Sequence, residues 1–310
     1  MSVFAPGSLS LRLYPHNQLP ADAIVATYRA QAAQAEAAGF DGIMTSEHHG
    51  GFGGYLPNPL QAAGWCLEAM RAAWAAPCPL LLPLKPTALV IEEIAWLAAR
   101  FPDRVGLGVA AGSLELDFTI MGQQKEGYRQ RFAEAMPRVC SVLGGGDAGD
   151  LADDPAIKRL VPHPIKVLSA SGSPLGCRRA AAAGAGLLFD SLTSLERSRE
   201  LVGIYRDAGG AGPLVLIRRV WIGDRTSVKE RQDKQTALYR TYSEQSAQAY
   251  WAGDQTVSGS PAEVAEKLVV AQEQCAAESM NIRVHAPGMT PDEVREQIDG
   301  LGEVLRLMRR

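Results

Sequence analysis

The residues of this sequence with the clearest potential for chemistry lie in the stretch TSEHHGGFGGYLPNP, residues 45–59. Glu47, His48 and His49 stand directly before a glycine- and proline-rich loop. Imidazole and carboxylate groups bind first-row metals, and imidazole also transfers protons near neutral pH. Adjacent residues of an extended segment point to opposite sides, so the two histidines are poorly placed to share one ion. We therefore expect no metal site here, and favour one histidine that moves protons or stabilises negative charge.

A second candidate is the turn SASGSPLG, residues 169–176, which contains Ser171, Gly172, Ser173 and Gly176. Serine hydroxyls, free backbone N–H groups and a helix N-terminus suit a phosphate group. The same pattern is typical of a simple capped helix start, so both interpretations stay open. The stretch 106–113, GLGVAAGS, misses the G-x-G-x-x-G spacing of dinucleotide-binding loops. It predicts a strand with a thin end, against which a flat ring can lie close to the backbone.

Composition narrows the possible partners. The 310 residues are 46% hydrophobic and 21% charged, with a formal net charge of -3. This charge provides no field that favours nucleic acid or an anionic membrane, and no apolar run is long enough to span a membrane. The five cysteines are widely spaced and form no C-x-x-C pair, which argues against disulfides and zinc and favours a reducing cytoplasm.

The chain alternates apolar strands with helices eight times, which predicts a single-domain (β/α)8 TIM barrel. Continuously apolar strands indicate a parallel sheet covered by helices on its outer face. Two segments fall outside the regular units, about 144–164 and 225–258, and we expect both as insertions at the C-terminal mouth of the barrel. The predicted strands are 10–13, 40–44, 80–82, 104–109, 165–169, 186–189, 214–222 and 281–284.

Four of the five histidines follow predicted strands, where barrel enzymes place their chemistry. His16 follows the first strand, His48 and His49 follow the second, and His285 follows the last. Neighbouring strands could bring these four side chains to one mouth, although His16, His49 and His285 can equally be loop histidines with backbone partners. His163 precedes a strand and is therefore expected at the opposite rim.

Several of these segments resemble the bacterial luciferase-like superfamily of flavin-dependent monooxygenases. The resemblance is closest over 35–64, AEAAGFDGIMTSEHHGGFGGYLPNPLQAAG, and continues through 104–122 and 169–184 and, more weakly, 259–268. It covers most of the chain in the order of the family, and it implies the same barrel fold.

The resemblance assigns roles to individual residues. His48 corresponds to the active-site histidine beside the flavin, with Glu47 expected to orient it. Ser173 and Gly176 fall where the family contacts the flavin phosphate, and the Cys78–Pro79 bond falls where the family has a cis peptide beneath the flavin ring. Proline lowers the cost of a cis bond by about 2 kcal/mol, so we predict that this bond is cis.

Two departures from the family bear on the chemistry. Ala110 replaces the reactive cysteine of luciferase, so light emission is not implied, and Ala111 replaces an arginine on the phosphate. Phosphate binding would then depend on the Ser/Gly turn or on Arg178 or Arg179. The missing arginine at position 111 would weaken FMN binding by roughly 1–3 kcal/mol. For an apolar substrate pocket we predict Met44, Phe52, Tyr55, Trp221 and His285.

The implied activity is oxygenation of a small organic substrate through a peroxyflavin, using dioxygen and reduced FMN from a separate flavin reductase. The alternatives are hydride transfer with a 5-deazaflavin coenzyme on the same fold, and a flavin-binding protein without turnover. A homodimer is expected from the resemblance.

Overall fold

The structure, a computed structural model, describes residues 1–309 as alternating strands and helices. The strands are β1 (Leu9–Arg12), β2 (Gly42–Thr45), β3 (Trp74–Pro77), β4 (Leu80–Leu81), β5 (Leu107–Ala110), β6 (Val167–Ser169), β7 (Gly186–Phe189), β8 (Leu214–Ile222), β9 (Val257–Gly259) and β10 (Ser279–Arg283). The helices are α1 (Ala21–Ala38), α2 (Pro59–Ala69), α3 (Thr87–Arg100), α4 (Glu115–Ile120), α5 (Tyr128–Leu143), α6 (Pro155–Lys158), α7 (Pro174–Ala182), α8 (Leu195–Asp207), α9 (Thr226–Tyr242), α10 (Gln245–Gln248), α11 (Pro261–Cys275) and α12 (Pro291–Met308).

The strands form a parallel barrel, which confirms the predicted fold class. Their order is β3-β2-β1-β10-β8-β7-β6-β5-β4. β3 and β4 flank the Cys78–Pro79 bond and together make the third barrel strand. The ring closes through a parallel bridge between Ala75 and Val105, where Ala75 N–H donates to the Arg104 carbonyl at 2.9 Å. The barrel therefore has eight strand positions, as the sequence predicted.

The third strand begins earlier than predicted, at Trp74 rather than at residue 80. Its sequence, Trp-Ala-Ala-Pro, lacks the β-branched residues that mark a strand, since alanine and proline have low strand propensity. Packing against the neighbouring strand determines where the Trp74 ring lies. A Cβ atom on Gly42 of the neighbouring strand would lie 2.0 Å from the Trp74 indole, so the ring occupies the space that this glycine leaves.

The barrel interior is filled by apolar side chains below the mouth. Met44, Trp74, Cys78, Leu168 and Ile217 belong to this inner cluster. Phe4 of the N-terminal segment packs against Trp74 with ring centroids 5.1 Å apart, so the amino-terminal end of the barrel is plugged. The open end, where the strands finish, is the remaining place for a ligand.

The two insertions lie at opposite rims. The segment 225–258 follows β8 and contributes α9, α10 and β9, which extends β8 by parallel pairing. Residues 144–164 connect α5 to β6 and therefore lie at the amino-terminal rim, where Arg159 donates to the Ala98 carbonyl at 3.4 Å. The expectation that residues 144–164 lie at the mouth was wrong, because this segment precedes β6 instead of following a strand. Among the described residues, no helix combines the length and the apolar character needed to cross a membrane.

Candidate active site

His48 lies at the mouth of the barrel and is held by a buried carboxylate. Its Nδ1 is 2.7 Å from Oδ2 of Asp117, and the other oxygen of Asp117 accepts a hydrogen bond from the His49 backbone N–H, also at 2.7 Å. Asp117 is fully buried in the short helix α4, which follows β5. A carboxylate can only accept, so the Nδ1 of His48 carries the shared proton and its Nε2 is left for other partners.

Aromatic rings enclose the imidazole of His48. The ring centroid of Tyr55 lies 4.4 Å away, that of Phe52 4.8 Å and that of Tyr242, at the end of α9, 5.9 Å. Burial raises the pKa of the Tyr55 and Tyr242 hydroxyls, so both keep their protons at neutral pH. The insertion thus helps to shield His48 from water.

The Glu47 carboxylate forms no hydrogen bond with the His48 side chain, contrary to the expectation that it orients this histidine. Its Oε1 accepts from Nε2 of His49 at 3.0 Å and pairs with Lys85, while its Oε2 accepts from the Leu81 N–H at 2.7 Å. The two adjacent histidines therefore point to different carboxylates. In the part of the chain that the structure describes, no group of three potential ligands is arranged to hold a metal ion.

A cavity of about 290 Å³ opens beside His48 at the barrel mouth. Pro79 and Leu81 contribute apolar wall, and Ser171 and Gly172 lie at the end of β6. Arg12 and Arg283 line the cavity from the adjacent strands β1 and β10. The cavity thus combines apolar surface, neutral hydrogen-bond donors and buried positive charge.

A family model described as luciferase-like monooxygenase matches residues 3–305. This chain belongs to the luciferase-like monooxygenase family.

Solved structures with the same fold share little sequence with this luciferase-like chain. A monooxygenase from Streptomyces bottropensis superposes with a TM-score of 0.83 at 18% identity, covering 98% of this chain and 100% of that one. The oxygenating constituent of 3,6-diketocamphane monooxygenase from Pseudomonas putida, in complex with FMN, gives 0.78 at 17% identity, covering 97% and 98%. An F420-dependent secondary alcohol dehydrogenase, in complex with an F420–acetone adduct, gives 0.70 at 15%, covering 98% and 99%.

A curated relative is the F420-dependent glucose-6-phosphate dehydrogenase of Tsukamurella paurometabola. It is 27% identical over 176 residues, and the match covers 52% of this luciferase-like chain and 52% of the relative. The match thus spans about half the length of that enzyme.

The predicted cofactor-binding residues lie in different environments in this luciferase-like barrel. The Cys78–Pro79 bond is cis, as predicted. Pro79, Ser171 and Gly172 line the cavity. Cys78 is fully buried below it against Gly108, where a Cβ atom would come within 2.1 Å of its sulfur, and burial raises the pKa of its thiol to about 12. The glycine-rich strand is therefore thin at this point because Cys78 packs on it.

The remaining cofactor candidates are not on the cavity wall. The hydroxyl of Ser173 caps α7 by accepting from the Gly176 N–H at 3.1 Å, which fits the simpler interpretation of that turn. Ala110 packs with Leu81 and Phe118 in a small cluster beside the mouth.

The predicted substrate-pocket residues are only partly brought together. Tyr55 lines the cavity, and Phe52 packs on His48. Met44 lies in the barrel interior, below the mouth. Trp221 lies where β8 pairs with β9, and its indole N–H donates to the Asp224 carbonyl at 3.1 Å, so the strand end turns it away from the cavity. His285 is buried against Tyr14, with ring centroids 5.4 Å apart.

The histidines lie at the barrel rims predicted for them, although those at the mouth do not form one cluster at the cavity. His16 is buried next to His285, and its Nδ1 lies 2.8 Å from the Met289 carbonyl. His163 lies at the opposite rim, 3.0 Å from Asp103.

Sequence reasoning missed Asp117 and the arginines of the mouth. Arg12 and Arg283 lie within apolar strands, in the segments SLRLY and NIRVH. A charged residue in such a strand indicates that its side chain faces a binding or catalytic site. Asp117 carries no comparable signal, because an acidic residue in the first turn of a helix is ordinary.

His285 should make stability sensitive to acid. Neither ring nitrogen has a hydrogen-bond partner among residues 1–309, and burial, together with the charges of His16 and Arg283, lowers the pKa of His285 to about 3. An unfolded histidine has a pKa of about 6.5, so the unfolded state binds the proton first as the pH falls. The free energy of unfolding is therefore highest above pH 6.5, and it falls by about 1.4 kcal/mol per pH unit as the pH drops from 6.5 towards 3.

When the pH falls from 7 to 5, we expect the free energy of unfolding of the parent chain to fall by about 2 kcal/mol more than that of His285→Phe. Urea unfolding at the two pH values measures this difference. The exposed His163, changed to Phe, serves as the control and should leave the pH dependence as it is. An equal acid loss in the parent and in His285→Phe would contradict the buried, neutral state of His285.

Proposed function

We propose that this chain is a flavin-dependent monooxygenase that uses reduced FMN and dioxygen to oxygenate a small organic substrate. The observation that carries the proposal is His48, held by the buried Asp117 beside an apolar cavity at the carboxyl ends of the strands. Family membership supports the reaction class, and the FMN complex of the Pseudomonas monooxygenase offers a precedent on the same fold.

The residues of the cavity fit a flavin. Pro79 and Leu81 offer flat apolar surface for a ring system, and Ser171 and Gly172 offer neutral donors near the start of α7 for a phosphate. A Cβ atom on Gly176 would lie 3.2 Å from the Ser171 side chain, so a glycine keeps this turn open. When bound, reduced FMN would supply the electrons that activate dioxygen.

The chain's own contribution is proton handling and exclusion of water. Asp117 fixes the imidazole of His48 through Nδ1, which leaves Nε2 free to hold or deliver a proton. Tyr55, Phe52 and Tyr242 pack around the ring and limit its access to water. Glu47 has an indirect role, because its carboxylate binds His49 and Lys85 instead of His48.

Ser171→Ala is expected to weaken FMN binding at least about tenfold and to leave riboflavin binding unchanged. Hydrogen bonds to a charged group contribute about 1.5–3 kcal/mol, and riboflavin lacks the phosphate. Titration of both flavins, followed by flavin fluorescence, measures the two affinities. Equal weakening for both flavins would remove Ser171 from the phosphate site.

Ser173→Ala is the matched comparison for the same turn. As a helix cap, Ser173 should contribute about 1 kcal/mol to the free energy of unfolding without a selective effect on FMN. A selective loss of FMN affinity in Ser173→Ala would instead support the phosphate contact inferred from the family resemblance.

The second candidate is an oxidoreductase that transfers hydride to or from a 5-deazaflavin coenzyme. It is favoured by Ala111, which stands where the resemblance places a phosphate-binding arginine, and by the sequence match to an F420-dependent dehydrogenase. A flavin-binding protein without turnover is the third candidate, and the contact between His48 and Asp117 argues against it.

A paired titration separates these candidates. The purified protein is titrated anaerobically with reduced FMN and with reduced 5-deazaflavin coenzyme, and dioxygen is then admitted. Tighter binding of FMN and oxygen-dependent product formation would support the monooxygenase. Preference for the deazaflavin would assign an oxygen-independent oxidoreductase, binding without turnover would indicate a carrier, and no binding of either coenzyme would refute all three.

The proposal also includes a separate flavin reductase, a homodimer and a cytoplasmic location. These expectations rest on the family resemblance, on the lack of a nicotinamide-binding motif and on the cysteine pattern.

A further inference from the structure

Three buried arginines at the barrel mouth have no carboxylate partner. Arg12, Arg219 and Arg283 are at most 6% exposed, and none of them forms an ion pair with a carboxylate of residues 1–309. Burying a charge without a partner is costly, so an uncompensated cluster of this kind is unusual in a purely structural role.

The partners of these arginines are neutral. Nε of Arg12 donates to Oδ1 of Asn281 at 2.8 Å, and its Nη1 donates to the Cys78 carbonyl at 2.7 Å. Arg219 and Arg283 share one acceptor, Oε1 of Gln235 on α9, at 3.0 and 2.7 Å. Two positive groups on a single amide oxygen leave strong residual positive charge.

Burial opposes the charge of Arg283, but neighbouring tyrosines raise the pKa of Arg283, so its guanidinium stays charged. Burial, together with the charge of Arg283, lowers the pKa of Arg219 to about 10. Nε of Arg219 and Nε of Arg283 are buried without a hydrogen-bond partner, and Nη1 of Arg283 makes no hydrogen bond to any described residue. Donor capacity is therefore left over on the arginine that lines the cavity.

The acidic groups of the cavity are already engaged. Glu47 holds Lys85 and His49, and Asp190 accepts from the backbone N–H groups of Leu192 and Thr193. Neither carboxylate forms an ion pair with the arginines, so an anionic ligand would find positive charge that no acidic side chain of the cavity has neutralised.

The arginine end of the cavity is separate from the proposed phosphate turn. Arg283 lies on β10, and Ser171 follows β6, three strands away in the order β10-β8-β7-β6. Strands lie about 4.8 Å apart, so the two ends are separated by roughly 14 Å along the barrel wall. One end therefore remains for the substrate when a phosphate occupies the other.

Tyrosine hydroxyls lie beside the guanidinium of Arg283. Tyr239 OH accepts from Nη2 of Arg283 at 3.0 Å and lies 2.9 Å from the hydroxyl of Tyr55. A carboxylate has two coplanar oxygens, which can accept from a guanidinium and from a neighbouring hydroxyl together. It also stays ionised at neutral pH without any shift of its pKa.

We propose that Arg283, supported by Arg12, binds the carboxylate of a small organic acid, whose apolar body extends along the cavity toward His48. Naming this acid as the substrate rests on the proposed function. Binding of the carboxylate to the protein does not, because it requires neither a coenzyme nor turnover.

The test measures binding of acetate, benzoate and the neutral isostere benzamide to the coenzyme-free protein by calorimetry. We expect benzoate to bind at least about tenfold more tightly than benzamide, and Arg283→Met to remove that preference. Replacing an unpaired buried arginine with methionine should leave folding intact, which thermal unfolding checks. Arg283→Lys, which keeps the charge, should retain part of the preference.

Two controls decide where the carboxylate binds. Arg179→Met, on the exposed face of α7, should leave benzoate affinity unchanged. Saturating FMN should not displace benzoate, whereas competition between the two would assign the arginines to the flavin and overturn the inference. Absence of binding by both acetate and benzoate would also overturn it, whatever the titration with coenzymes shows.

Discussion

Replacing His48 with alanine is expected to slow the oxidation of bound reduced FMN by dioxygen by about 10²–10⁴-fold, the range typical of a lost general acid or base. The imidazole is the group at the cavity whose Nδ1 is fixed by a buried carboxylate and whose Nε2 has no partner among residues 1–309. Alanine removes the proton carrier and leaves the enclosing rings of Phe52 and Tyr55 in place. Stopped-flow absorbance of the bound flavin measures the rate.

The control for this variant is His163→Ala. His163 lies at the opposite rim beside Asp103 and is exposed, so its loss should change neither the rate nor the affinity for FMN. FMN affinity should also be retained in His48→Ala, because the proposed phosphate donors lie on another strand. An unchanged oxidation rate in His48→Ala would exclude His48 from the reaction.

The fold could be predicted because its signals are local. Eight apolar stretches separated by helical periodicity were sufficient to indicate the barrel, and the bounds of β7 and β8 were predicted correctly. The start of the third strand could not be predicted, because Trp74 is accommodated by packing against Gly42 and the small residues after it have low strand propensity.

The site was predicted less completely than the fold. The sequence singled out His48, and it placed Glu47 beside it because the two are adjacent in the chain. The actual partner, Asp117, lies 69 residues further along, in the short helix α4 that follows another strand. Contacts between strand-end loops depend on barrel closure, so the side chains of sequence neighbours can bind different groups, as those of His48 and His49 bind Asp117 and Glu47.

Replacing Asp117 is expected to reduce both the stability of the protein and the rate of flavin oxidation. Asp117→Ala is expected to lower the free energy of unfolding by about 3 kcal/mol, because the buried N–H of His49 and Nδ1 of His48 both lose a charged acceptor. Flavin oxidation should also slow by about 10²-fold, since a small displacement of a catalytic group is enough for such a loss. Urea unfolding and stopped-flow absorbance give the two values.

Asp117→Asn separates orientation from folding. The amide oxygen can still accept from the His49 N–H, so most of the stability should be retained, whereas the amide NH₂ would face Nδ1 of His48 as a donor and impose the other tautomer. The rate should therefore fall nearly as far as in the alanine variant. Glu115→Gln, an exposed change in the same helix, should change stability by less than about 0.5 kcal/mol and leave the rate unaltered. A stable Asp117→Asn protein with the full rate would show that the carboxylate supports the fold of the loop and does not set the proton position on His48.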